Sequence, residues 1–157
     1  MGGAVLMLYA DQQPAMFVNC MIDNNTTHQG ATVSVHGTIA TKFVNTSIIN
    51  NDGPGLYLEG WKGHQVEVHN SIVWGNVPLS ITTMGDLAVD VRFSTIEGGW
   101  EGEGNINTDP LIVFKDGAVI LDSESPCIDN GSNAFLPADA HDLDNDGDLF
   151  EALSLDF

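Results

Sequence analysis

Four eleven-residue blocks of this chain align without a gap: residues 15–25, 41–51, 66–76 and 89–99. Their starts lie 26, 25 and 23 residues apart. Blocks this short cannot bury a core alone. A near-constant offset between them restricts the chain to folds in which successive passes stack like position on like.

Within the blocks, chemistry follows position. Ala15, Thr41, Val66 and Val89 form one column, and Phe17, Phe43, Val68 and Val91 form the next but one. Between them lie Met16, Lys42, Glu67 and Asp90, mostly polar, as expected of strands with one face inward. After a short corner comes a second apolar column, Ile22, Ile48, Val73 and Ile96. Asn24, Asn50, Gly75 and Gly98, beside Asn25, Asn51, Asn76 and Gly99, read as a turn, and recurring asparagines can form amide ladders between passes. The intervening segments are expected to follow the same offsets. Val5, Ala31, Leu56 and Leu79 then form one column, and Met7, Val33, Leu58 and Ile81 another. Ile112 and Phe114 lie 23 residues beyond Val89 and Val91 and predict a fifth pass.

The expectation is an all-β parallel β-helix, or β-solenoid, of about five coils of 23–26 residues over residues 1–121, followed by a closing segment over 122–157 with an irregular acidic cap. A sandwich of short antiparallel strands would also alternate, but predicts no constant offset.

Charge narrows the function. The net charge is −18, and the basic residues are Lys42, Lys62, Arg92 and Lys115 alone. No basic surface can be assembled from four such positions, which excludes nucleic acid and acidic membranes and disfavours polyanionic substrates. Before residue 81 the acids are Asp11, Asp23, Asp52, Glu59 and Glu67, so 17 of the 22 follow it. The apolar stretch at residues 4–9 is too short for a membrane span, and no Lys or Arg precedes it as in an export signal.

The chain resembles the secreted right-handed parallel β-helix repeat proteins of bacteria. These include long surface proteins of planctomycete type and, more distantly, the repeats of polymorphic outer-membrane proteins. The likeness rests on the Gly-Gly-Ala-Val of residues 2–5, on Phe17-Val-Asn-Cys20 and Phe43-Val-Asn-Thr46, and on Asn70-Ser-Ile-Val-Trp-Gly-Asn76. Residues 97–111 and 125–131 match the family's closing phrases. The resemblance implies a right-handed coil, secretion or display at the cell surface, an export signal upstream, and a C-terminal fragment of a longer protein. Its implied partners are surface glycans, or other β-helix coils stacked end to end on the first rung.

Several residue groups carry candidate chemistry. Arg92 is the single arginine, without the basic companions a lyase of this fold needs. Asn107-Thr-Asp109 echoes one fragment of the polygalacturonase pattern, and its other elements are absent. Glu67 and Asp90 share an outward column with Lys42, and paired carboxylates can perform glycoside chemistry. His28, His36, His64, His69 and His141 show no metal-ligand spacing. Trp61, Trp74, Trp100 and Tyr57 are candidates for a sugar-stacking platform. Cys127 is expected about four coils beyond Cys20, on the order of 20 Å away, too far for a disulfide. The reading is a non-catalytic extracellular module with a structural, adhesive or matrix role; the alternative is a carbohydrate-binding or polysaccharide-cleaving β-helix.

The one metal candidate is Asp142-Leu-Asp144-Asn-Asp146-Gly147-Asp148, in which alternating carboxylates around a glycine turn can wrap a hard cation. The twelfth position from Asp142 is Leu153, where an EF-hand needs Glu, so Asp142, Asp144, Asp146 and the Asp148 carbonyl are expected to form a looser Ca²⁺ loop. Millimolar Ca²⁺ should then raise the thermal midpoint, with a stabilisation of roughly 2.7 kcal/mol at a hundredfold excess over Kd. Asp144→Ala and Asp146→Ala should each diminish the shift. An unchanged midpoint in Ca²⁺ and in chelator would reduce the motif to a solvated turn.

Overall fold

The computed structural model describes residues 6–9, 14–37, 40–115 and 117–138. The chain is a parallel β-helix of three four-stranded sheets. The first sheet holds β1 (Leu6–Tyr9), β4 (Val33–His36), β7 (Leu56–Gly60) and β10 (Ile81–Gly85). The second holds β2 (Ala15–Val18), β5 (Ala40–Val44), β8 (Gln65–His69) and β11 (Ala88–Arg92). The third holds β3 (Met21–Asp23), β6 (Ser47–Ile49), β9 (Ile72–Trp74) and β12 (Thr95–Ile96). Each pass of the chain contributes one strand to every sheet, so about three turns separate the first rung from the fourth.

Both columns expected from the blocks are present. Phe17 pairs with Phe43, Phe43 with Val68 and Val68 with Val91, all in parallel register. Ile22, Ile48, Val73 and Ile96 do the same in the third sheet. Phe43, Ile48, Val68, Val73, Val91 and Ile96 sit in one fully buried cluster with Val33, Val35, Leu56, Leu58 and Val66. The Phe17 and Phe43 rings stack 4.8 Å apart and nearly coplanar, the natural spacing of adjacent strands.

The first sheet is registered differently from the expectation. Val33 pairs with Leu56 and Leu56 with Ile81, whereas constant offsets had placed Leu56 opposite Ala31 and Leu79. The connection from the first sheet to the second accounts for this. It advances eight residues from Val33 to Thr41 and from Ile81 to Val89, but ten from Leu56 to Val66. Between β4, β7 and β10 the slip is two residues, so their inward set stays inward. Between β1 and β4 it is one, since Leu6 and not Met7 pairs with Val33, and Met7 leaves the column expected of it.

The corner between the second and third sheets places Asn19, Asn45, Asn70 and Phe93 in the left-handed region, with φ of 50–52°. Asparagine tolerates that conformation through its short polar side chain. Beyond the corner, backbone N–H groups donate to side chains one pass on. Thr46 N–H donates to Ser71 Oγ, Ser71 N–H to Ser94 Oγ, and Ser94 N–H to Asn105 Oδ1, at 3.1, 3.1 and 3.0 Å. A second ladder joins Asn25, Asn51 and Asn76: Asn25 N–H and Nδ2 donate to Asn51 Oδ1, and Asn51 Nδ2 to Asn76 Oδ1.

The fifth pass is abbreviated. Ile106 bridges Thr95 in parallel, but Ile112 and Phe114 do not continue the columns. They belong to β13 (Ile112–Lys115), which pairs antiparallel with β14 (Ala118–Leu121). Gly117, at φ 83°, provides the reversal that this hairpin requires.

Residues 122–138 then run back along the outside of the helix. Cys127 Sγ lies 3.1 Å from Thr95 Oγ1, and Asn130 Nδ2 donates to Gly104 O. Ser132 N–H donates to Asn70 Oδ1 while Asn70 Nδ2 donates to Ser132 O. Cys127 is therefore folded back onto the fourth pass, not carried four coils onward. That is three rungs from Cys20, about 14 Å along the axis at the usual strand spacing, and both thiols are free.

Asn51 is 1% exposed, and its amide also donates to Ile22 O. Asn51→Ala should strand the Asn25 N–H and remove the donor to Ile22 O, while Asn76 Oδ1 keeps the backbone N–H of residue 51, costing about 2 kcal/mol in denaturant unfolding. Phe43→Ala should cost about 3–5 kcal/mol. A loss below ~0.5 kcal/mol for Asn51→Ala would mean that the ladder is dispensable.

Candidate functional site

The outward residues of the second sheet form a continuous charged row. Lys42 Nζ lies 2.7 Å from Glu67 Oε2, and Arg92 Nε lies 2.8 Å from Asp90 Oδ1. His69 stands between the carboxylates, with Nε2 3.4 Å from Asp90 Oδ2 and Nδ1 3.8 Å from Glu67 Oε2. Strand pairing places these groups: Lys42 is opposite Glu67, Glu67 opposite Asp90, and His69 opposite Arg92.

This row is not open to solvent along its length. A short 3₁₀ turn, Asn133–Phe135, is capped by Ser132, whose hydroxyl accepts the Ala134 N–H. The turn sets the Phe135 ring over the sheet, 4.2 Å from the His69 ring, 5.7 Å from Phe93 and 5.8 Å beneath the Arg92 guanidinium. His69 is left 4% exposed. Between residues 134–137 and the strands a cleft of about 220 Å³ remains, lined by Met16, Lys42, Val44, Glu67 and His69.

Burial beneath Phe135 lowers the His69 pKa below the ordinary histidine value, outweighing the opposite pull of Asp90 and Glu67. Asp90 shows the reverse balance. Desolvation pushes its pKa up, but hydrogen bonds from Arg92 and His69 bring it below the usual carboxylate value. The pair with Asp90 raises the Arg92 pKa. A neutral imidazole between two ion pairs is suited to holding a surface together. A glycosidase acid needs a carboxyl whose pKa is raised so that it carries a proton to the leaving oxygen, and Asp90 is shifted the other way.

The other candidates are dispersed. Trp100 packs against the core at the fourth pass, and Trp74 is half-buried on the third sheet beside Ile49. Trp61 and Tyr57 belong to the first sheet and its connection, so the three tryptophans do not form one platform. Asn107 Oδ1 accepts the Gly98 N–H and Asp109 Oδ1 the Leu111 N–H, which gives the Asn107–Asp109 fragment a local role in the closing turns. A second hollow of about 320 Å³ lies beside residues 76–80; Glu97, the one charged residue lining it, accepts the Gly75 N–H. No group of three His, Cys, Asp or Glu among the described residues is arranged to hold a metal. Asp142, Asp144, Asp146 and Asp148 lie outside the described residues. The docked 132–137 segment, which the repeat pattern does not signal, is the part of the site that sequence reasoning missed.

No family model, curated protein or solved structure matches the chain. No helix among the described residues is long and apolar enough to cross a membrane.

The His69 environment fixes the sign of a pH effect. A lowered pKa in the docked state means that protons bind better when the cover is off. Docking of residues 132–137 is therefore strongest above the ordinary histidine value near 6.5 and weakens as pH falls below it. Asp90 contributes in a separate window: its stabilisation is present above the ordinary carboxylate range and is lost as pH falls through its lowered value. The protection factor of the Ser132 amide, the intrinsic exchange rate divided by the observed rate at the same pH, should fall between pH 7.5 and 5.5, and His69→Gln should abolish that change. Tighter docking at pH 5.5 would mean that the carboxylates, not burial, govern the imidazole.

Proposed function

We propose that this chain is a non-catalytic β-solenoid module, displayed outside the cell in a structural, adhesive or matrix role. The observation that carries this reading is the state of the outer carboxylates on the second sheet. Glu67 is engaged by Lys42, and Asp90 by Arg92 and His69. Phe135 and its neighbours lie across the place where a substrate would have to sit. Stiffness follows from the stacking itself, since the four rungs are bonded through three sheets, and one or both of two side-chain ladders tie each rung to the next. Extracellular placement is supported by the likeness of residues 70–76, 97–111 and 125–131 to secreted bacterial β-helix surface proteins of planctomycete type. The acidic loop at 142–148 is proposed as a Ca²⁺ site on its carboxylate spacing.

The test is prolonged incubation with neutral and acidic polysaccharides, read by reducing-end release and by formation of unsaturated uronate. The expected result is no product above a buffer blank. Product formation that Glu67→Gln or Asp90→Asn abolishes would replace this reading with that of a polysaccharide-cleaving enzyme.

A further inference from the structure

The outer side of the first sheet differs from that of the second, because its aromatic and polar groups are left facing solvent. Leu56 and Leu58 of β7 point into the core, so Tyr57 and Glu59 point out. Pairing sets Ser34 and Thr82 on either side of Tyr57, and His36 and Met84 on either side of Glu59. His36 Nδ1 lies 2.9 Å from Glu59 Oε2, and the Tyr57 hydroxyl, whose one proton is shared between two acceptors, lies 3.4 Å from the same oxygen and 3.0 Å from Met84 Sδ. No hydrogen bond among the described residues engages Glu59 Oε1, and the side chain is 35% exposed.

Trp61 stands at the edge of this group. The connection that carries it is the one lengthened by two residues, closed by a bond from the His64 N–H to Trp61 O. Its ring packs 4.9 Å from the His64 ring and beside Gly37, where an added Cβ would meet Trp61 Cη2 at 3.6 Å. These contacts hold the indole in place, and Trp61 is still 62% exposed. Gly37 follows His36 directly, so the indole, the His36–Tyr57 ring pair and the Glu59 carboxylate form one neighbourhood.

We propose that this neighbourhood binds a neutral polysaccharide, with the indole of Trp61 as the stacking surface. The inference rests on the non-catalytic surface role proposed above and names its ligand class. A pyranose ring has an apolar C–H face and a rim of hydroxyl donors. The indole buries the first, and the free oxygen of Glu59 accepts from the second. Charge decides among glycans: a chain of net charge −18, with Glu59 at the centre of the patch, repels uronate and sulfate polymers.

The experiment is affinity electrophoresis of the whole chain in native gels cast with hydroxyethyl cellulose, galactomannan or dextran, with alginate as the polyanion. At least one neutral polymer should retard the protein, and alginate should not. Trp61→Ala should weaken the interaction about tenfold or more, as expected for loss of a stacking ring and the area it buries. Glu59→Gln should weaken it less, and Trp74→Phe on the third sheet should leave it unchanged. Both exposed-site variants are checked for wild-type unfolding midpoints, and Tyr57→Phe provides a further variant that keeps the ring. The proposal is overturned if no neutral polymer retards the chain, if Trp61→Ala migrates as wild type does, or if alginate retards it equally. Sedimentation showing a dimer that Trp61→Ala dissociates would also overturn it, by assigning the patch to a second copy. Failure here without sugar release leaves the non-catalytic reading standing, whereas sugar release overturns that reading itself.

Discussion

At the corner between the second and third sheets, a backbone N–H turned into the interior finds no carbonyl opposite it. In this chain the missing acceptor comes from the next pass, as the hydroxyl of Ser71 or Ser94 or the amide oxygen of Asn105. A buried donor left unpaired costs about 1–3 kcal/mol, so each rung depends on its successor for more than apolar contact. The requirement fixes residue type as well as geometry. A small hydroxyl that bonds back to its own corner carbonyl, as Ser71 does to His69 O at 2.8 Å, can sit in such a column. The columns of Phe, Val and Ile stack because the corners hold the passes in register.

The repeat was legible wherever strand length and corner length were constant together, which holds in the second and third sheets. It failed in the first sheet because the two residues inserted around Trp61 fall after β7 and before β8: they lengthen the second-sheet interval from Thr41 to Val66 to 25, but in the first sheet they lengthen the following interval, from Leu56 to Ile81. Ile112 and Phe114 misled for a different reason. Their alternation suits either strand direction, and the turn at Gly117 sends the second strand back beside the first. The docking of Phe135 has no periodic signature, since it is made once in the chain, to His69, Arg92 and Phe93, forty or more residues away in sequence. Phe93 marks its destination: a bulky residue is held in the left-handed region where the earlier passes have asparagine, at a cost of roughly 1–3 kcal/mol. Its ring faces Phe135 and the backbone of Gly104, which leaves no room for a side chain.

The two outer faces show how one scaffold can spend its polar groups differently. On the second sheet, Lys42 engages Glu67 across rungs and Arg92 engages Asp90 within one, with Phe135 laid over the histidine between them. On the first, Glu59 gathers a histidine and a tyrosine on one oxygen and leaves the other toward water, beside an indole held outward by its connection. The sequence named the residues of both faces but could not pair them, because the partners come from different passes and depend on the register.

A solenoid has neighbours only above and below, so it can ordinarily lose rungs from either end one at a time. The segment running back from Cys127 to Pro137 changes that topology. It touches the fourth pass at Thr95, the third at Asn70 and His69, and the cleft shared with Lys42 and Met16 of the earlier ones. It acts as a tie across the layers of a laminate. The last rung cannot delaminate while the tie is fastened to the layers beneath it, so unzipping from that end begins at Phe135 and not at the rung itself.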